Sequence, residues 1–129
     1  MRRFELLGVD GLPEVAAGDD LAQLIGARTS LEAGDIVVVA QKVVSKAEGR
    51  TRDLSTVIAS DEAIRLALNL LAEPDPRFVQ VVLDESVRIL RTERVLITQT
   101  RHGFVCANSG VDQSNIPGSE VVTLSLIHI

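Results

Sequence analysis

The chain has 129 residues, a length typical of one domain, and its 13 basic and 18 acidic side chains give a net charge of -5. With this charge and only 2% aromatic residues, it lacks the positive surface and the stacking rings that nucleic-acid binding requires. A single cysteine excludes an internal disulfide, and short apolar runs exclude a membrane span, so we expect a cytoplasmic protein. Because the apolar residues are nearly all aliphatic, we expect an α/β or mixed α+β fold with an aliphatic core.

The beginning of the chain predicts a strand, a helix and a second strand. Residues 4–9 have the apolar composition of a strand, which the following glycines and proline interrupt. Asp19 is a plausible N-cap for a helix over residues 21–28. The β-branched run at 36–39 predicts a buried strand, and we interpret the polar, basic segment after it as a functional loop.

The middle of the chain predicts two helices that pack side by side. Ser60 is a candidate N-cap for the first helix. Four of its apolar residues recur at helical spacing: Ile64, Ala67, Leu68 and Leu71. Pro74 and Pro76 end it, and the pair Asp75 and Pro76 begins the second helix as N-cap and first residue. That helix carries an apolar stripe: Phe78, Val81 and Val82.

The last part of the chain predicts an antiparallel meander and an odd ending. Three short strands follow from Val87 onward, with turns near Thr92 and near His102. A further strand is expected from four apolar residues: Val121, Val122, Leu124 and Leu126. Because the chain closes on the apolar sequence SLIHI, we expect residues 1–129 to be a truncated domain in which this strand lacks its partner.

Three polar stretches are the candidates for a functional site, since the common nucleotide-binding, hydrolase and metalloprotease motifs are absent. The first is the turn at 11–15. The second contains Lys46, whose ammonium group can contact phosphate oxygens. The third, residues 108–115, concentrates the carboxylate, amide and hydroxyl oxygens that Mg²⁺ and Mn²⁺ prefer.

Each stretch also has a plain structural interpretation. Residues 11–15 can be an ordinary turn, Lys46 a solvated lysine, and 108–115 a turn built from its usual residue types. Cys106 lies in an apolar alternation and is best interpreted as a buried core thiol. His102 is best interpreted as an exposed turn residue, so neither is given a role.

Three segments, in this order and spacing, resemble the coenzyme F420-0:L-glutamate ligases: GVDGLPEV, GDIVVVAQKVVSKAEGR and TRHGFVCANSGVDQSNIPG. The resemblance covers the chain up to Gly118. It implies an enzyme of F420 biosynthesis that ligates L-glutamate to coenzyme F420-0 as a γ-linked amide, through an acyl phosphate. It further implies GTP as co-substrate, Mg²⁺ or Mn²⁺ as cofactor with K⁺ as a further candidate, and a homodimer.

The resemblance also assigns roles to individual residues. The first segment implies nucleotide contacts from Leu12, Pro13, Glu14 and Val15. The second implies nucleotide contacts from Gln41, Lys42 and Lys46. The third suggests Asp112 as a metal ligand and Asn115 as a nucleotide contact. No catalytic residue is assigned.

The family continues beyond this length into a segment that supplies further acidic metal ligands. We therefore expect residues 1–129 to be part of a larger ligase fold, to be inactive alone and to aggregate through exposed apolar surface. Two alternatives stay open. One is a non-catalytic, nucleotide-binding module, and the other is the amino-terminal part of a bifunctional ligase and oxidoreductase.

Overall fold

The structure is a computed structural model that describes residues 3–113 and 120–127. Within these ranges the helices are α1 Leu21–Gly26, α2 Gln41–Ala47, α3 Asp61–Asn69 and α4 Pro76–Asp84. The strands are β1 Thr51–Asp53, β2 Ser86–Arg91, β3 Ile97–Thr100, β4 Val105–Ala107 and β5 Val121–Thr123. Short 3₁₀ turns lie at Leu54–Thr56 and Asn108–Gly110. The prediction of a mixed α/β fold is confirmed.

The described strands form two antiparallel sheets. One is a ribbon of β1 and β5, in which Thr51 lies opposite Thr123. The other has the order β2-β3-β4, and Ile97 of β3 lies opposite Ala107 of β4. The turns of this second sheet fall between β2 and β3 and between β3 and β4, so the predicted meander is confirmed.

The two predicted helices in the middle of the chain are confirmed together with their caps. The Ser60 side chain accepts a hydrogen bond from the backbone amide of Ala63 at the start of α3. Asp75 accepts one from the amide of Arg77, and Pro76 is the first residue of α4. The two helices pack against each other, as predicted.

The buried face of α3 differs from the predicted one. Ala63, Ala67 and Leu70 are buried, whereas Leu68 is 69% exposed and Ile64 is 42% exposed. Residues 63, 67 and 70 lie on one stripe. The predicted residues 64, 68 and 71 each follow one of these by a single residue, which is a rotation of about 100° around the helix axis, so they lie off the buried stripe. The predicted stripe of α4 is confirmed at Val81 and Val82, which are fully buried, while Phe78 is partly buried.

Neither predicted strand near the beginning of the chain forms. Residues 4–9 and 36–39 have no strand structure, and Phe4 and Ile36 are 93% and 87% exposed. A strand requires neighbours for its backbone hydrogen bonds, and the described residues provide none for these two segments. The N-cap prediction was wrong by one residue: Asp20 caps α1, and the Asp19 carboxylate accepts from the amide of Ala16.

The predicted loop after residue 40 is the helix α2, and it lies against β5. The hydroxyl of Ser45, which is fully buried, donates to the carbonyl oxygen of Leu124 at 2.7 Å. This bond joins the centre of α2 to the residue that follows β5. The basic residues of this segment therefore project from a helix, and their spacing along it determines which of them share a face.

The strand predicted to lack a partner is paired within the chain. β5 pairs with β1, and Val122 and Leu124 are buried in the core. That core also contains the fully buried Leu54 and Val82 and the nearly buried Leu96. The helices over 3–113 and 120–127 are all too short or too polar to cross a bilayer.

Candidate functional site

A pocket of about 240 Å³ lies between α2, the ribbon of β1 and β5, and the turn that precedes α1. We call it the α2 pocket. It brings together side chains from all three predicted polar stretches: Glu14, Val15, Lys42, Lys46 and Asp112. Because these residues are up to 98 positions apart in the chain, their convergence is a property of the fold.

Helix α2 supplies the positive charge of the pocket. Lys42 and Lys46 are the two lysines of the chain, and both line the α2 pocket. They lie four positions apart, so they share one face of the helix. Ser45, between them, is buried and bonded to Leu124, which fixes the orientation of that face toward the pocket.

Lys42 forms an ion pair with Asp112, with 2.6 Å between Nζ and Oδ2. The backbone of Asp112 is held by β5, because its amide donates to the carbonyl oxygen of Thr123 at 3.0 Å. The amide of Thr123 donates back to the carbonyl oxygen of Asp112 at 2.9 Å. The carboxylate of Asp112 therefore projects from a fixed backbone position and stays 41% exposed.

Lys46 forms an ion pair with Glu14. The Lys46 side chain is 21% exposed and the Glu14 side chain is 85% exposed, so the lysine is the positioned member of the pair. The turn that carries Glu14 is joined to α2 by the amide of Gly18, which donates to the carbonyl oxygen of Ala47 at 2.8 Å. A solvated pair contributes about 0–1 kcal/mol, so a ligand anion can replace Glu14 on Lys46.

The turn before Asp112 is fixed by buried hydroxyl groups. Ser109 is fully buried, and its hydroxyl lies 2.8 Å from that of Ser86 and 2.7 Å from that of Thr98. Asn108 and Ser109 adopt φ values of +51° and +52°, which side chains rarely tolerate outside such constrained turns. The sequence did not identify this network, since its members lie on three separate elements.

Three other predicted site residues lie outside the lining of the α2 pocket: Leu12, Pro13 and Gln41. Gln41 donates from Nε2 to the carbonyl oxygen of Gly110 at 3.2 Å, beside the pocket. Leu12 and Pro13 are exposed and do not line it. Asn115 lies outside the described residues. The nucleotide-contact roles of these residues, and of those in the pocket, stay predictions.

Two threonines of the pocket were missed by the sequence analysis. Thr51 and Thr123 face each other across the ribbon and both line the pocket. The Thr123 hydroxyl donates to the carbonyl oxygen of Asp112 at 3.2 Å, so toward a ligand it offers an acceptor oxygen. Their pairing depends on the register of two strands about 70 residues apart, which the sequence does not display.

The described residues fit a divalent cation only together with a ligand. No group of three or more His, Cys, Asp or Glu side chains within 3–113 and 120–127 is placed to hold a metal. Mg²⁺ is commonly bound by one or two carboxylates plus the phosphates of a substrate. Asp112, whose carboxylate lines the α2 pocket and is 41% exposed, would be the carboxylate of that mode.

The two residues that were given no role lie away from the α2 pocket. His102 is exposed, with Nε2 at 3.0 Å from the carbonyl oxygen of Ile127. Cys106 is only partly buried, so the prediction of a core thiol was wrong, and this burial raises the pKa of its thiol, which disfavours the thiolate.

The comparisons with known proteins agree on one family. The family described as F420-0:Gamma-glutamyl ligase matches residues 11–125. The protein named coenzyme F420:L-glutamate ligase in Halorubrum lacusprofundi is 48% identical over 125 residues, covering 94% of this chain and 50% of the relative. Proteins with the same name in Natronomonas pharaonis and Methanocaldococcus jannaschii are 44% and 46% identical, covering 94% and 89% of this chain and 49% and 46% of those relatives. The chain thus spans about half the length of the curated relatives it matches, and it belongs to the F420-0:gamma-glutamyl ligase family.

Proposed function

We propose that the protein acts in coenzyme F420 biosynthesis by ligating L-glutamate to F420-0, with GTP as co-substrate and Mg²⁺ or Mn²⁺ as cofactor. Membership of the family supports the reaction class. The observation that carries the proposal is the α2 pocket, where two lysines and two carboxylates from separate stretches of the chain converge.

The two ion pairs of the pocket suggest how a nucleotide with its metal would bind. A phosphate group would replace Glu14 on Lys46, since the lysine is positioned and the glutamate is solvated. A divalent cation would replace the Lys42 ammonium group on Asp112. Lys42 would then contact a second phosphate oxygen, and the charge of the cation would offset part of the phosphate charge.

The proposed reaction has two steps. A carboxylate of F420-0 attacks the γ-phosphorus of GTP, and the bond to the β-phosphate oxygen breaks to give an acyl phosphate and GDP. The amine of glutamate then attacks the acyl carbon, inorganic phosphate leaves and the amine loses a proton. When bound, the cation offsets charge on the transferring phosphate. In both steps Lys46 stabilises charge on the phosphate oxygens.

A gene disruption tests the function in the organism that encodes the protein. We expect F420-0 to accumulate and its glutamate-bearing forms to disappear, as followed by liquid chromatography and mass spectrometry. The control is the disrupted strain carrying an intact copy of the gene. An unchanged F420 profile would contradict ligation and would favour the nucleotide-binding module. If the disrupted strain lacked a redox product in addition to the glutamate-bearing forms, the bifunctional ligase and oxidoreductase would be favoured.

Nucleotide binding is tested separately on the protein. We expect GTP to bind in the presence of Mg²⁺, and Lys46→Ala to weaken binding about tenfold or more, because a charge-assisted hydrogen bond is worth about 1.5–3 kcal/mol. Arg65→Ala removes an exposed charge on α3, away from the pocket, and is the matched control. Calorimetry that shows equal affinities for the two variants would contradict the role of Lys46. The homodimer, the cytoplasmic location and the inactivity of residues 1–129 alone remain predictions.

A further inference from the structure

A second pocket, of about 300 Å³, lies at the junction of the meander with the segment after β5. We call it the arginine pocket. Its polar lining consists of Arg50, Glu85, Thr100, Arg101, His102 and Ser125, none of which lines the α2 pocket. We propose that the arginine pocket binds the amino-acid substrate through a carboxylate, with L-glutamate as the candidate. This inference rests on the proposed function for the identity of the amino acid.

One wall of the arginine pocket is rigid. Arg50 forms an ion pair with Glu85, and their side chains are 26% and 13% exposed. Arg50 also donates from Nε to the carbonyl oxygen of Ser125 at 3.0 Å. Two partners on different elements therefore hold this guanidinium group in place, and the charge of Glu85 compensates its own.

Arg101 supplies the charge that a carboxylate would meet. It is exposed, and the described residues give its guanidinium one hydrogen bond, from Nη2 to the carbonyl oxygen of Asp84 at 3.2 Å. A carbonyl orients the planar group without compensating its charge. An arginine held in this way can bind a carboxylate with two parallel hydrogen bonds, which a lysine cannot do.

His102 completes the polar rim. Its Nε2 lies 3.0 Å from the carbonyl oxygen of Ile127, and since a carbonyl only accepts, this nitrogen carries a proton. In the neutral ring the other nitrogen, Nδ1, is then an acceptor. It is suited to accept a hydrogen bond from the ammonium group of an amino acid.

The charge of the pocket favours an amino acid with a net negative charge. Two arginines and one glutamate leave a net charge of +1 in the lining, whereas the whole chain carries -5. Glutamate carries two carboxylates and one ammonium group, so its net charge is -1. A pocket that offers both arginine donors and an imidazole acceptor matches such a zwitterion better than it matches a phosphate, which has no ammonium group to donate to that acceptor.

The two pockets adjoin each other in the chain at the start of β1. Thr51 lines the α2 pocket and Arg50, the residue before it, lines the arginine pocket. Residues 50 and 51 contribute to different linings, so the two ligands would bind in separate pockets. Nucleotide and amino acid would therefore not compete for a site.

The test is a titration of the ¹⁵N-labelled protein with L-glutamate in the absence of GTP, followed by NMR. We expect saturable shifts of the amides of 100–103 and 125–127, and no comparable shifts with inorganic phosphate at equal concentration. Arg101→Gln should weaken glutamate binding about tenfold or more, because it removes a charge-assisted pair. Arg101→Lys keeps the charge without the planar fork and should bind with intermediate affinity.

The matched control is Arg65→Gln, since Arg65 is also exposed and also donates to a backbone carbonyl oxygen. Its glutamate affinity should equal that of the unchanged protein. The proposal would be overturned if Arg101→Gln and Arg65→Gln lost glutamate affinity equally. It would also be overturned if inorganic phosphate caused amide shifts as large as those caused by glutamate. GTP affinity is measured in parallel and should be unchanged in Arg101→Gln. If the protein bound glutamate but not GTP, only the proposed nucleotide site would be contradicted. If it bound GTP but not glutamate, only the proposed role of the arginine pocket would be contradicted.

Discussion

At the scale of single residues, the α2 pocket depends on side chains whose partners are known. Asp112 and Lys46 each pair with a residue from a different stretch of the chain. The sequence could indicate which residue types suit phosphate and metal. It could not indicate that Lys42 and Asp112 meet, because that contact depends on how α2 packs on β5.

Asp112→Asn tests the predicted metal ligand. The variant keeps the backbone bridge to Thr123, so the fold should remain intact, but it lacks the charge that attracts a divalent cation. We expect Mg²⁺ to strengthen GTP binding in the unchanged protein and to have little effect in the variant. Calorimetry with and without Mg²⁺ measures this difference.

The control for Asp112→Asn is Glu62→Gln, which removes an exposed carboxylate from α3. It should respond to Mg²⁺ as the unchanged protein does. If Asp112→Asn showed that same response, the cation would have to bind elsewhere. Thermal unfolding of both variants establishes that the comparison concerns binding and not folding.

At the scale of elements, local signals predicted α3, α4 and the meander correctly. Ser60 and Asp75 are caps whose partners lie within three residues, so the sequence contains the whole interaction. The strand predictions for residues 4–9 and 36–39 were wrong, because strand formation depends on neighbouring strands that composition does not reveal. Helix α2 was missed because Ala40, at its N-cap, makes no side-chain cap bond.

Ser45→Ala tests how α2 is held against β5. The variant removes the donor to the Leu124 carbonyl oxygen, and loss of a buried hydrogen bond costs about 1–3 kcal/mol. We expect a lower free energy of unfolding and weaker GTP binding, since both lysines lie on this helix. Ser30→Ala, at an exposed position, is the control and should change neither quantity. Unaltered urea unfolding of Ser45→Ala would contradict this role.

The contact between Asp75 and Arg77 at the start of α4 should make the free energy of unfolding depend on pH in the acid range. Hydrogen bonds from the Arg77 guanidinium lower the pKa of Asp75 below its usual value of about 4. A lowered pKa means that the stabilisation is present above the unfolded-state pKa and is lost as pH falls through the folded-state pKa. Asp75→Asn keeps an N-cap acceptor but cannot ionise.

We therefore expect Asp75→Asn to be less stable than the unchanged protein at pH 7 and closer to it at pH 3. Urea unfolding at the two pH values measures the difference. The pKa of Asp53 is also lowered, mainly by hydrogen bonds from Ser55. Because Asp53 is present in both proteins, its effect on the pH dependence of unfolding should cancel in the comparison. The same pH dependence in both proteins would show that the pair with Arg77 does not contribute.

At the scale of the whole molecule, several of the most exposed apolar side chains lie in two segments that contribute nothing to the core. The buried apolar residues come from α3, α4, the meander and β5, together with the turn at Leu54 and the segment at Val111. Residues 4–9 and 36–39 have no regular secondary structure, and nearly all of them are exposed. All four residues of the second segment are exposed, most of all Ile36 and Val38 at 87% and 85%, so this segment forms an apolar row.

Such rows promote self-association, because they combine apolar side chains with backbone groups that can pair with another chain. The double variant Ile36→Lys with Val38→Lys should lower light scattering at high protein concentration, since like charges along the row repel a second copy. Its thermal stability should be unchanged, because neither side chain is part of the core. Ile58→Lys is the matched control: Ile58 is 91% exposed but lies outside both apolar segments, so its substitution should leave scattering nearly unchanged. If the double variant scattered as much as the unchanged protein, association would have to proceed through another surface, and residues 4–9 would be the next segment to test.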